Sequence, residues 1–201
     1  MNKSLLLLSS LFLLIASCKI SNDENTKKGD TPNQPLTRTN NDSLSDNKLV
    51  SDRYNSYLDS IPYSDNIKSK ISIEIIKCKL LKGIDIPYKK YYNAELLSKY
   101  KYNTFDVYLF KLNCLAGASC SDFYLSTLNK SFELKGTKLL AKETAEGENN
   151  ITIHNFKFNK GNLEFEVFHE YYSDESDDYI EETKKKYYII GNDGEIKIGG
   201  I

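Results

Sequence analysis

An antiparallel β meander with one short N-terminal helix, its strands forming a twisted sheet, a sandwich or a partial barrel, is the fold class this sequence predicts. Three observations carry the expectation. Apolar and polar residues alternate through most of residues 105–198, short polar turns join the alternating runs, and no long helical crossover separates one run from the next. A parallel α/β sheet would need such crossovers.

The elements follow in chain order. Tyr54, Tyr57, Leu58 and Ile61 recur at helical spacing, Ser51 suits an N-cap and Pro62 stops continuation, so a helix is expected over 51–60. From Ile67 the period changes to two. Ile71, Ile73 and Ile75 lie on one side of an extended chain and Ile76, Cys78 and Leu80 on the other, which predicts a strand with a bulge near Ile75. Between Ile84 and Tyr102, Pro87 and a group of tyrosines surround a single helical turn expected near Ala94 to Ser98.

The second half is more legible. Residues 105–112 and 123–128 are β-rich runs on either side of Cys114 and Cys120, followed by strand-like pieces at 132–134 and 138–142. Residues 151–158, the turn Asn159, Lys160, Gly161 and Asn162, and residues 163–172 make a hairpin. A last hairpin pairs 185–190 with 195–198 through Gly191, Asn192, Asp193 and Gly194, where Asp-Gly is a strong turn signal.

The chain divides into three pieces: a signal peptide over 1–17, a flexible tether over 18–48 and the β-rich domain over 49–201. Lys3 precedes an apolar run over 5–15 that is too short to span a bilayer but fits a signal-peptide core. Residues 19–48 are poor in large apolar side chains and rich in Asn, Asp, Ser, Thr and Pro, so they bury too little surface to offset the entropy of ordering. As a random coil, thirty such residues reach about 30 Å.

Ile15, Ala16, Ser17 and Cys18 resemble the lipobox of bacterial lipoproteins. That resemblance implies a diacylglyceryl thioether on Cys18, cleavage before it and a membrane anchor. Two or three acyl chains hold durably where one holds only marginally. The chain from about Asn47 onward, with its tyrosine-rich middle and its closing hairpin over 187–197, resembles the β-rich outer-membrane lipoproteins of Bacteroidota-type bacteria. This second resemblance carries no catalytic residues to transfer. Asp23 and Glu24 resemble part of an acidic surface-export signal but stand farther from Cys18 than it usually does, so the periplasmic face and the cell surface both remain open.

With 27 basic and 28 acidic side chains, no basic bias points to nucleic acid. Export would place Cys78, Cys114 and Cys120 in an oxidising compartment. Cys114 and Cys120 flank a small-residue stretch between two strands and are expected to form a disulfide, with Cys78 a buried free thiol.

Candidate chemistry is sparse. His154 and His169 are the only histidines, each reads as a strand residue with a local hydrogen bond, and no Gly-x-Ser-x-Gly elbow is present. Asp174, Glu175, Asp177, Asp178, Glu181 and Glu182 crowd one connection; calcium is the functional candidate there, but the EF-hand spacing is missing and a solvated loop is expected. Fifteen tyrosines without tryptophan suit either a recognition surface or ordinary strand packing, and the second is favoured. No catalytic residue, metal site or cofactor is predicted. The expected function is a lipid-anchored, non-enzymatic binding or interaction module for an unknown protein or glycan partner, a class that includes immunity and inhibitor proteins. The alternatives are an envelope hydrolase built from dispersed carboxylates and an accessory subunit of an outer-membrane complex.

Overall fold

The computed structural model describes residues 42–115, 119–146, 149–173 and 178–199. Cys18, the signal and lipobox residues, Asp23, Glu24, Asp174, Glu175 and Asp177 lie outside them. All the strands belong to one compact unit, Lys48–Ile201. Among the described residues no helix is long and apolar enough to cross a membrane.

Helix α1 (Asp42–Ser60) ends where Pro62 forbids continuation, and it seats Leu58 fully buried with Tyr54 packed alongside. It begins earlier than the periodicity suggested, because its first turns are polar. The expected strand over 67–81 is mostly helical instead. Strand β1 is only Ser69–Ile71, after which Ser72 accepts a hydrogen bond from Glu74 N and caps a short helix, Ile73–Ile75, that continues as the π-helical turn Ile76–Leu80. Ile71, Ile75, Ile76, Leu80 and Leu81 are the buried set, a spacing that fits a helical stripe as well as a switched strand.

Eight further strands complete a sheet whose order is the chain order: β2 (Tyr91–Tyr102), β3 (Phe105–Cys114), β4 (Ser119–Asn129), β5 (Leu134–Glu146), β6 (Asn149–Asn159), β7 (Asn162–Tyr172), β8 (Tyr179–Ile190) and β9 (Ile196–Ile198). Every neighbouring pair is antiparallel, and the sheet is not closed. The turn expected at Ala94 to Ser98 is absorbed into β2, where pairing with β3 overrides the helical preference of Ala, Glu and Leu. The pieces at 132–134 and 138–142 are likewise replaced by a single strand, β5.

Strand β3 is buried on both faces. Tyr108, Phe110 and Leu112 face a first core roofed by α1 and the short helix, while Val107 and Leu109 face a second core. The second core exists because the sheet curls over itself. Strands β5 and β6 pair only from Thr144 to Glu146, which lets β6–β8 swing back across β2–β5. Phe156 stacks on Phe123 at 5.7 Å, Phe158 stacks on Tyr100 at 4.4 Å, and the Tyr188 hydroxyl donates to Leu140 O at 3.2 Å. At the β6–β7 turn, Gly161 adopts φ +81°, and a Cβ there would come within 2.5 Å of the Tyr102 ring.

Cys114 and Cys120 form the expected disulfide, with Cα atoms 5.4 Å apart. Cys78, expected as a buried free thiol, sits half-buried in the π-helical turn, and among the described residues no cysteine is free.

Candidate functional site

The curl leaves a cleft of about 320 Å³ where the edge of β2 meets the returning strand β6. Three structural irregularities build it. A bulge in β2 between Leu96 and Ser98 turns an additional residue, Leu97, toward the cleft. The segment before β1 is laid along that edge by hydrogen bonds from Ser64 N to Lys99 O and from Ile67 N to Leu97 O, which places Asp65, Asn66 and Lys68 on one rim. A second bulge, between His154 and Lys157 of β6, pushes His154 and Asn155 onto the opposite rim.

Both rims pass through left-handed backbone at residues other than glycine: Lys68 has φ +48° and Asn155 φ +58°. Such conformations are uncommon, and strain of this kind concentrates at binding sites. Side chains anchor the strained rim at Asn155, whose amide donates to Glu166 Oε2 at 2.5 Å, while His154 Nε2 stands 3.6 Å from the same oxygen. The hydrogen bond from Asn155, ahead of the nearby Lys185 and His154, holds the Glu166 carboxyl below the usual carboxylate value.

The lining has an apolar floor of Phe123, Ile153 and Phe156, with Lys111 and Glu143 set into it. Glu143 accepts a hydrogen bond from Ile153 N at 3.3 Å, Lys111 pairs with Glu95 at 3.2 Å, and the Ser98 hydroxyl donates to Asp65 O at 2.7 Å. Cations and anions thus share a small space over aromatic walls. Chemically, this arrangement can bind a ligand that offers both hydrogen-bond donors and acceptors and one apolar edge.

His154 stands out in the sequence as one of two histidines, but its neighbours in the cleft do not. His169 lies elsewhere, stacked on Tyr171 with ring centroids 4.5 Å apart and hydrogen-bonded through Nε2 to Asn149 Oδ1 at 2.6 Å. Of the tyrosines between Ile84 and Tyr102, Tyr88, Tyr91, Tyr100 and Tyr102 pack into the two cores. Tyr91 is buried and donates to the buried carboxylate of Asp122, to which Lys90 also binds at 3.1 Å. Burial pushes the neighbouring Tyr88 up to about 12. Tyr100 and Tyr102 fill the second core. Of the acidic connection, Asp178 closes the β7–β8 turn by accepting from Ser173 N at 2.9 Å, and Glu181 and Glu182 lie in β8. Among the described residues no group of three or more His, Cys, Asp or Glu could hold a metal ion.

Compared with protein-family models, curated proteins and solved structures, the chain matches none.

Proposed function

We propose that the chain is a lipid-anchored lipoprotein of the outer membrane whose β-rich domain is a non-enzymatic binding module of the immunity or inhibitor type, with the cleft between β2 and β6 as its receiving site. The observation that carries the reading is that four polar groups of the cleft are already held by the protein itself. Glu143, Lys111, Ser98 and Asn155 each have an intramolecular partner. Groups fixed before the ligand arrives lose little freedom on binding, which favours recognition.

The partner suited to this cleft is an exposed loop of an exported protein, entering with one apolar side chain against Phe123 and Phe156 and its main chain between the charged rims. A volume of about 320 Å³ is at the small end of ligand sites and takes a short segment rather than a whole element. A glycan would be better served by tryptophan, which the sequence lacks. The lipobox over Ile15 to Cys18 supplies the anchor in this reading.

Two experiments test the two halves separately. Cys18→Ser should abolish fatty-acid incorporation and release the chain from the membrane fraction; normal acylation of that variant sinks the anchor. A photo-cross-linking residue at Asn66, on the cleft rim, should capture one defined envelope protein in cells, whereas the same residue at the exposed Lys82 should not. Equal capture from both positions removes the cleft as the binding site.

A further inference from the structure

We infer that the outer edge of β8 is a homodimer interface, at which two copies of this chain pair antiparallel about a two-fold axis through Thr183. That edge of β8 is open. Strand β9 covers only Tyr188 to Ile190 of β8, and Gly199 N then donates to Tyr187 O at 2.8 Å. Among the described residues no strand pairs with the outer side of residues 179–186. An edge of this length is a template for another strand unless something guards it.

The register on β7 says which groups point outward. Pairing of β7 with β8 is continuous from Asn162 opposite Ile189 to Tyr172 opposite Tyr179, with no bulge. Asp178 O and Ile190 N bond toward β7, and Tyr187 O bonds toward β9. Main-chain groups alternate along a strand, so those of residues 179, 181, 183 and 185 face away from β7. Thr183 can therefore meet Thr183 of the partner copy as a hydrogen-bonded pair, exchanging both N–H to O bonds.

Charge selects that centre among the alternatives. About Thr183, Glu181 falls opposite Lys185 of the second copy, Glu182 opposite Lys184, and each relation is repeated by the symmetry. Centring on Glu181 or Glu182 would set glutamate against itself, and centring on Lys184, Lys185 or Lys186 would set lysine against itself. Lysines alone would only blunt the edge. Two glutamates at the mirror positions make it complementary to itself.

The monomer also leaves a local charge unbalanced where the dimer would neutralise it. Glu181 lies directly opposite Glu170 of β7, a like-charge pair. Lys185 of the second copy would arrive beside Glu181 on the same face, since Lys185 already reaches across that face to Glu164 at 3.4 Å.

The test uses the full chain in density-matched detergent, followed by sedimentation velocity over a concentration series. Wild type should shift from monomer to dimer as concentration rises. Glu182→Lys and Lys184→Glu should each remain monomeric, because each sets like charges across both symmetry-related contacts. Mixed in equal amounts they should form a heterodimer, since the two substitutions restore opposite charges at both. Thr183→Pro removes an outward N–H without touching the β7 ladder, so it should stay monomeric, and at low concentration, where wild type is monomeric too, the two should melt at the same temperature. A wild type that stays monomeric throughout, single variants that dimerise like wild type, or a mixture that fails to associate would each overturn the inference.

Discussion

Lys99 Nζ lies 2.9 Å from Leu58 O, so a lysine of strand β2 closes the last turn of helix α1. The same ammonium donates to Ile61 O at 3.0 Å, stands 3.7 Å from Asp106 and sits over the Tyr63 ring at 4.7 Å. Lysine is rarely buried, yet Lys99 is 1% exposed. Helix C-termini leave carbonyls without partners, and a cation there satisfies both the hydrogen bonds and the helix dipole. Burial lowers its pKa from the ordinary lysine value, with Asp106 drawing it back up.

Lys99→Met should therefore cost about 3 kcal/mol, because it leaves two carbonyls and the Asp106 carboxylate short of a partner. Urea unfolding should show the loss, and limited proteolysis should cut near residues 58–63 in the variant first. A variant as stable as wild type would mean that the helix is held by Leu58 and Tyr54 alone.

The disulfide offers a second check. Peptide mapping without reduction should recover Cys114 and Cys120 in one linked fragment. Replacing both with serine should lower stability by about 2 kcal/mol, the loop-closure value for so short a ring. Recovery of Cys78 linked to either of them would contradict the register of β3 on β4.

Alkaline pH should unfold the domain. Tyr91, Tyr108 and Tyr124 have their pKa raised, first of all by burial, above the ordinary value near 10. Folded protein then keeps protons that the unfolded chain gives up. The stability these groups contribute is complete below pH of about 10 and is lost as pH rises from there through the raised folded values. Phenolate absorbance should rise together with the loss of β-sheet circular dichroism. Titration of all fifteen tyrosines near their ordinary value with the fold intact would contradict both cores.

Calcium should not stabilise the protein. If the connection is a solvated loop, replacing Asp174, Asp177 and Asp178 together with Asn should change stability by no more than about 0.5 kcal/mol per site. A real site would add about 2.7 kcal/mol at a hundredfold excess of calcium over its dissociation constant. A melting shift with calcium in wild type that disappears in the triple variant would promote the connection to a binding site.

The strands that carry alternation and a turn signal were legible, and those whose partners lie far off were not. The hairpin of β6 and β7 follows from Ile153, Leu163 and Phe165 around Lys160 and Gly161, all within one local stretch. The segment from Ile71 to Leu80 carries apolar residues at spacings that two periodicities share, and the cap at Ser72 decides between them. Ala94 to Ser98 would favour a helix in isolation; Phe110 and Leu112 across the ladder make it a strand. The cleft had no local signature at all. Its walls come from residues as distant as Asp65, Lys111, Glu143 and Phe156, and only the curl at the short β5–β6 pairing brings them together.

Strand order that follows chain order has a consequence for a polypeptide emerging end first, from a ribosome or through a translocation pore. Each new strand finds its partner already present as the last edge formed, and none must wait for a later segment to be threaded between two that have already paired. The sheet can grow by edge addition, one hairpin at a time, with little loop-closure entropy at any step. The contacts that must wait are those that lock the curl. Thr127 Oγ1 donates to Gly194 O at 2.6 Å, so β4 acquires this partner only after nearly the whole chain has cleared the exit.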